Sequence, residues 1–178
     1  DYLGDAFIGR ISAENISQID VLFNKIYAVE KNINIDGTAA SWLNRMVLVG
    51  DPSSSGISVK YVNKFIKELA ARHNPEYTFT ENYTGSPGNA INTAINQGVG
   101  FFNYRGYIGT SGWSPGGSLI NGTKLPHATI LTCARGSFAN GTSTSEAMMR
   151  LGTAAAPAGS VTSFGMATSG THTLFNNC

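Results

Sequence analysis

Apolar runs of strand length alternate with stretches of helical periodicity along this 178-residue chain, and that alternation leaves few folds open. Arg45-Met46-Val47-Leu48-Val49-Gly50 is a continuous apolar run, and so is the stretch that ends in Ile130-Leu131. Between the runs, Ile16, Ile19, Phe23, Ile26 and Val29, and later Val59, Val62, Ile66 and Leu69, recur at helical spacing. Strands are expected at residues 6–8, 45–50, 77–80, 98–104, 128–132 and 159–164, and helices at 16–30, 59–72, 87–97 and 145–151. The polar residues 31–38 read as a connection, Pro75 blocks helix continuation, and Ser86 caps a helix with Pro87 at its first position. Strands separated by helices pair in parallel through right-handed crossovers, and solidly apolar strands fit a sheet covered on both faces. The expected fold is α/β, a three-layer α/β/α sandwich with a mainly parallel sheet, formed by residues 1–178 as one domain.

Composition narrows the function. Charged residues are 13% of the chain, the formal net charge is +1, and no Lys/Arg cluster exceeds a pair, which argues against nucleic acid as a partner. The longest apolar stretches fall far short of the roughly 20 residues that span a bilayer, so no membrane insertion is expected. A phosphate-binding Gly-rich loop, a Gly-x-Gly-x-x-Gly turn, a Gly-x-Ser-x-Gly elbow and a His-Glu-x-x-His helix are all missing. Gly, Ser, Thr and Asn are abundant while Lys and Glu are sparse, the style of secreted or cell-surface bacterial proteins. A chain starting at Asp1 reads as a piece of a longer polypeptide, with other domains of that polypeptide as partners.

What chemistry the chain offers gathers at strand ends. The run Ala128-Thr129-Ile130-Leu131-Thr132 delivers Cys133 to the carboxyl edge of the sheet, where ligands collect in open α/β folds. A thiolate is a strong nucleophile when a base or a positive field helps it ionise. The preceding strand ends at Asn103-Tyr104-Arg105-Gly106-Tyr107, with Trp113 in the loop beyond. Two successive strands that end in glycine-containing turns can place a base beside a nucleophile that is distant in sequence.

In order and spacing these segments resemble the caspase-like catalytic subdomain of the gingipain family of cysteine peptidases. The resemblance is carried by Phe7-Ile8-Gly9-Arg10-Ile11-Ser12-Ala13-Glu14, Val29-Glu30-Lys31-Asn32, Trp42-Leu43 and Asn103-Tyr104-Arg105-Gly106 with Trp113. Leu125-Pro126, Cys133-Ala134-Arg135-Gly136-Ser137-Phe138 and Ser145-Glu146-Ala147-Met148-Met149-Arg150 complete it. It implies a secreted cysteine endopeptidase acting on peptide or protein substrates. Cys133 takes the nucleophile position, and the backbone N–H groups of Gly106 and Cys133 serve the oxyanion. No cofactor is required by the resemblance, and calcium is left open. The family's Gly-His-Gly turn is here Gly106-Tyr107-Ile108, so Tyr107 occupies the place of the base histidine. A phenol with an ordinary pKa of about 10 is a poor base near neutral pH, which raises the alternative of an inactive binding or structural module.

Of the three histidines, His73 reads as a solvated helix end. His127, six residues before Cys133, lies roughly 20 Å away along a strand. His172, in the loop after the last strand, is the remaining candidate for a substitute base. Arg105 and Arg135 read first as surface loop arginines, and alternatively as cations that favour the thiolate. Asp51 reads first as a turn residue, and alternatively as a carboxylate that reads a basic substrate side chain or binds calcium. Trp113 and Phe138 either wall the cleft or pack a loop onto the core.

Overall fold

The computed structural model describes residues 8–35, 41–107, 109–139 and 141–168. Helix α1 (Ile16–Ile35) is followed by a 3-10 turn (Ser41–Asn44), β1 (Arg45–Gly50), α2 (Pro52–Ser55), α3 (Ser58–His73) and β2 (Thr78–Asn82). Then come α4 (Gly88–Gln97), β3 (Phe101–Arg105), β4 (His127–Leu131), α5 (Thr144–Arg150) and β5 (Thr162–Gly165). The five strands form one sheet in the order β2-β1-β3-β4-β5, with every pairing parallel. The expected α/β architecture with a parallel sheet is therefore what the chain adopts.

Alternation along the strands divides the sheet into two faces. Val47, Phe102 and Ala128 share one register row, and Val49, Tyr104 and Ile130 share another. These residues pack with Ile91, Ala94 and Ile95 of α4 and Met148 of α5 to form the main core. On the other face α3 covers β1 and β3. Asn63 donates to Val49 O at 3.0 Å and accepts from Asn103 Nδ2 at 2.7 Å, so both buried amides are satisfied. Gly50 allows this approach, because a Cβ there would lie 2.9 Å from Val59 Cγ2. The sheet grows outward from β1 in both directions, so the switch in strand order falls between β1 and β3. In open parallel sheets the crevice beyond the carboxyl ends at such a switch is where ligands bind.

Several boundaries differ from the sequence expectation. Helix α1 runs on through residues 31–35, because no glycine or proline interrupts it before Gly37. Pro87 is the N-cap of α4, with its carbonyl accepting from Ile91 N–H at 2.9 Å, and Ser86 does not cap. Helix α5 starts earlier, on a capping box between Ser143 and Glu146. Strand β5 starts later, because Gly159 (φ +84°) is in a turn, its N–H held by Asn121 Oδ1 at 2.8 Å. The expected strand at residues 6–8 lies outside the described residues, except for Ile8, which belongs to no element. No helix among the described residues is long and apolar enough to cross a membrane.

Candidate active site

Gly50, Arg105 and Leu131 close the three central strands in one row of the sheet. The residues just beyond that row, Asp51, Gly106-Tyr107 and Thr132-Cys133, therefore share the carboxyl edge. Cys133 is half-buried and its thiol is free. Directly after it Ala134 takes the left-handed conformation (φ +58°), uncommon for a residue with a Cβ. The turn is clamped from the side of β5: Ala134 N–H donates to Thr168 O at 2.9 Å and Gly136 N–H to Met166 O at 2.8 Å. Glycine is needed at 136, because a Cβ there would lie 2.3 Å from Gly165 O.

Arg105 is not a surface arginine: it is 0% exposed. Its Nη1 donates to Gly106 O at 2.8 Å and to Leu131 O at 3.2 Å, capping the ends of β3 and β4. The guanidinium also lies 4.8 Å from the centroid of the Tyr107 ring. Burial lowers the pKa of Arg105, while Tyr107 and the charge of Cys133 act to raise it. Tyr107 is also held from the side of α2 and α3. Its N–H donates to Ser55 Oγ at 3.0 Å and its hydroxyl shares a 3.0 Å hydrogen bond with Ser58 Oγ at the start of α3.

The expected pair of oxyanion donors is corrected by the ladder. Gly106 N–H donates to Leu131 O at 3.0 Å, because β3 and β4 stay paired one residue past the last strand position. Among the described residues, Cys133 N–H donates to no backbone carbonyl.

Asp51 is 3% exposed and N-caps α2. It accepts from Ser53 N–H at 2.9 Å, from Ser53 Oγ, and from Ser111 Oγ at 2.7 Å. Ser111 (φ +51°) in turn shares a 3.0 Å hydrogen bond with Tyr104 Oη. Burial pushes the Asp51 carboxyl up, but the hydroxyls of Ser53, Ser111 and Ser54 and the Ser53 N–H outweigh it and hold the pKa at about 2. The polar contacts of Asp51 are thus internal, and they tie the β3–β4 connection to the end of β1. Among the described residues no three His, Cys, Asp or Glu converge around it.

Of its two readings, Trp113 takes the core. It is 5% exposed, meets Phe102 edge-on at 5.3 Å and donates from Nε1 to Asn92 Oδ1 of α4 at 3.0 Å. Arg135 is half-buried and reaches back over the β3–β4 connection, with Nη2 3.2 Å from where a Cβ on Gly109 would stand. Its surface-loop reading is therefore only half right. Phe138 is exposed and carries the Arg10 guanidinium 3.7 Å from its ring centroid.

His127 opens β4 at the far edge of the sheet, where Nδ1 meets Thr162 Oγ1 at 2.8 Å. His73 ends α3 on that same far side, just before β2 begins. His172 lies outside the described residues. Among the described residues, then, no histidine stands at the edge that carries Cys133. Sequence reasoning passed over Ser55, Ser58 and Ser111, whose hydroxyls organise this edge. Asp51-Pro52-Ser53 carried the signal of a capped turn, whereas Ser111 is 60 positions from its carboxylate and carried none.

A free thiol lies beyond a central strand of a parallel α/β sheet, and, taken with its family and structural matches, the chain is a cysteine peptidase-like domain. The chain matches the model of peptidase family C25 over residues 1–177, and it belongs to that family. Among solved structures it is similar to the Arg-specific cysteine proteinase gingipain R, at 26% identity and a TM-score of 0.69 over 89% of this chain and 40% of that one. It is also similar to the complex of Porphyromonas gingivalis RgpB pro- and mature domains, at 27% identity and a TM-score of 0.66 over 88% of this chain and 40% of that one. A third structure, of a protease, is 20% identical with a TM-score of 0.67 over 89% of this chain and 36% of that one, and shares the fold. The chain thus spans well under half the length of these relatives. No curated protein sequence matches it.

Proposed function

We propose that the chain carries the nucleophile-bearing part of a cysteine endopeptidase that works outside the cytoplasm. Cys133 attacks the carbonyl of a bound polypeptide, and the charge of Arg105 supports the ionised sulfur in place of a histidine at residue 107. The observation that carries this reading is the buried Arg105, whose guanidinium caps Gly106 O and Leu131 O at the strand ends that lead to Cys133. A guanidinium beside a cysteine favours the nucleophilic thiolate. Cys133 N–H is the available donor for the developing oxyanion. His172 is the candidate base and proton donor from the segment after β5. The low Lys and Glu content supports an extracytoplasmic location, and the 40% coverage of gingipain R supports further domains in the same polypeptide.

A second reading, a non-catalytic binding module, is favoured by one specific arrangement. The residue in the histidine position has its hydroxyl engaged by Ser58, and the amide before it is engaged by Leu131. Alkylation of Cys133 by iodoacetamide between about pH 5 and 9, run beside a peptide-library cleavage assay, separates the two. The peptidase reading expects fast alkylation well below the ordinary thiol pKa of about 8.5 and cleavage that disappears in Cys133→Ala. It also expects Tyr107→Phe to keep the cleavage and His172→Ala to lose it. A thiol titrating at its ordinary value, with no peptide cleaved, leaves the binding module.

A further inference from the structure

Just past Cys133, the clamped turn carries a charged group, Arg135. Its carbonyl accepts from Ser145 N–H at 2.9 Å, which fixes the turn against the start of α5. From there the half-buried side chain crosses to the β3–β4 connection, where Nη2 lies 3.2 Å from the position of a Cβ on Gly109. Gly109 is left-handed (φ +61°) and has no side chain to interpose. Burial raises the pKa of Tyr104 near the end of β3, the Ser111 hydroxyl lowers it, and the charges of Asp51 and Arg135 pull it in opposite directions. Arg135 thus reaches along the carboxyl edge of the sheet, from the turn of Cys133 to the residues that follow β3.

Other guanidinium groups of the fold have acceptors. Arg105 donates to Gly106 O and Leu131 O, and Arg150 donates to Ser12, Glu14 and Glu146. The side chain of Arg135 makes no hydrogen bond and no ion pair among the described residues. Its Nε is enclosed and without a partner, whereas Nη1 and Nη2 stay open to solvent. Asp51, the carboxylate of the same edge, is already engaged by Ser53 and Ser111. A guanidinium cannot shed its proton, so a half-buried one without an acceptor calls for an acceptor from outside the fold. Its planar fork fits a carboxylate end-on through Nη1 and Nη2, a charge-assisted pair that no neutral amide reproduces.

We propose that Arg135 is a specificity-determining residue of the Cys133 site, selecting a polypeptide with an Asp or Glu side chain close to the carbonyl that Cys133 meets. That a polypeptide lies there rests on the peptidase reading. The preference for a carboxylate rests on Arg135.

The test is calorimetric binding, to the Cys133→Ala chain, of end-blocked peptides identical except for Glu, Asp, Gln or Asn at one scanned position. At one position the acidic peptide is expected to bind about tenfold or more tightly than its amide counterpart, the difference that a charged hydrogen bond makes. Adding Arg135→Gln is expected to bring the acidic peptide down to the amide one and to leave the amide peptide unchanged. Arg135→Lys keeps part of the preference, because it keeps the charge and loses the fork. Arg135→Gln removes no hydrogen bond within the fold, so its thermal midpoint stays equal and lost binding cannot be ascribed to unfolding. A merely structural role would weaken both peptides together, and that result overturns the proposal. So does equal binding of acid and amide at every position, an acid preference that survives Arg135→Gln, or no binding by any peptide. Free glutarate binding as tightly as the Glu peptide would reassign Arg135 to a small acid and overturn the polypeptide assignment. Cleavage by the unmutated chain is read separately. Acid preference without cleavage keeps the role of Arg135 and removes the peptidase reading, while cleavage indifferent to the acid does the reverse.

Discussion

Arg105 lies 4.8 Å from the ring centroid of Tyr107 and donates from Nη1 to the carbonyls of Gly106 and Leu131. Two residues of one strand end thus close a small buried unit in which a cation bridges β3 to β4 just where Cys133 emerges. This one side chain ties the pairing of β3 and β4 to the edge that carries Cys133.

Replacing Arg105 with Met should therefore have two effects. Leaving both carbonyls without their charged donor costs about 1.5–3 kcal/mol of stability, read from urea unfolding. Alkylation of Cys133 slows near neutral pH, and Arg105→Lys restores part of the rate because it keeps the charge and loses the planar fork. An unchanged alkylation profile in a folded Arg105→Met protein would remove the arginine from the proposed chemistry.

Asp51 should make stability depend on acid. Its folded pKa of about 2 lies below the unfolded value of about 3.9, so its contribution is complete above the unfolded value and is lost as pH falls through the folded one. Asp51→Asn is expected to cost about 1 kcal/mol near neutral pH, the typical worth of a cap. The gap between the two urea midpoints should close as pH falls from about 5 to 2.

Lys25 should act in the opposite pH range. It is buried in α1, with Nζ donating to Met149 O and to Ser160 O at 3.4 Å, and burial lowers its pKa to about 7. Between that value and the unfolded pKa of about 10.4 the unfolded chain holds the extra proton, so stability rises with pH across this window. Lys25→Met lacks the rise. Unfolding midpoints measured for both proteins from about pH 6 to 10 check the slope.

Trp113 offers a test of its core position. Trp113→Phe gives up the Nε1 bond to Asn92 and is expected to cost about 1 kcal/mol while leaving Cys133 alkylation unchanged. Trp113→Ala should cost about 3–5 kcal/mol, as expected for a core aromatic. A change in alkylation with unchanged stability would return the indole to the cleft.

Much of the fold was legible because its signals are local. The apolar runs located β1, β3 and β4 to within a few residues, and helical spacing located α3. Errors came where two local signals competed. Polar residues 31–35 looked like a connection, but without a breaker α1 simply continued. Ser143 and Glu146 held a capping-box spacing that the apolar pattern around residues 145–151 masked. The site was legible in its nucleophile position and much less so in its surroundings. Nothing in the local sequence marks Arg105 as fully buried, because its burial depends on the register that sets it against Leu131.

By itself the sequence determined a parallel α/β sheet and a cysteine beyond the end of a central strand. Both follow from periodicities of two and 3.6 residues that need no distant partner. Tertiary structure decided which groups meet that cysteine. Parallel pairing brings residues from positions 51, 105, 107 and 133 to one edge, and the register selects which donors are used up in the ladder. It left His73 and His127 at the other end of the sheet and buried the Arg105 guanidinium at the strand ends that lead to Cys133. Hydrogen bonds and charge act over a few ångströms in space, and separation along the chain does not encode that distance.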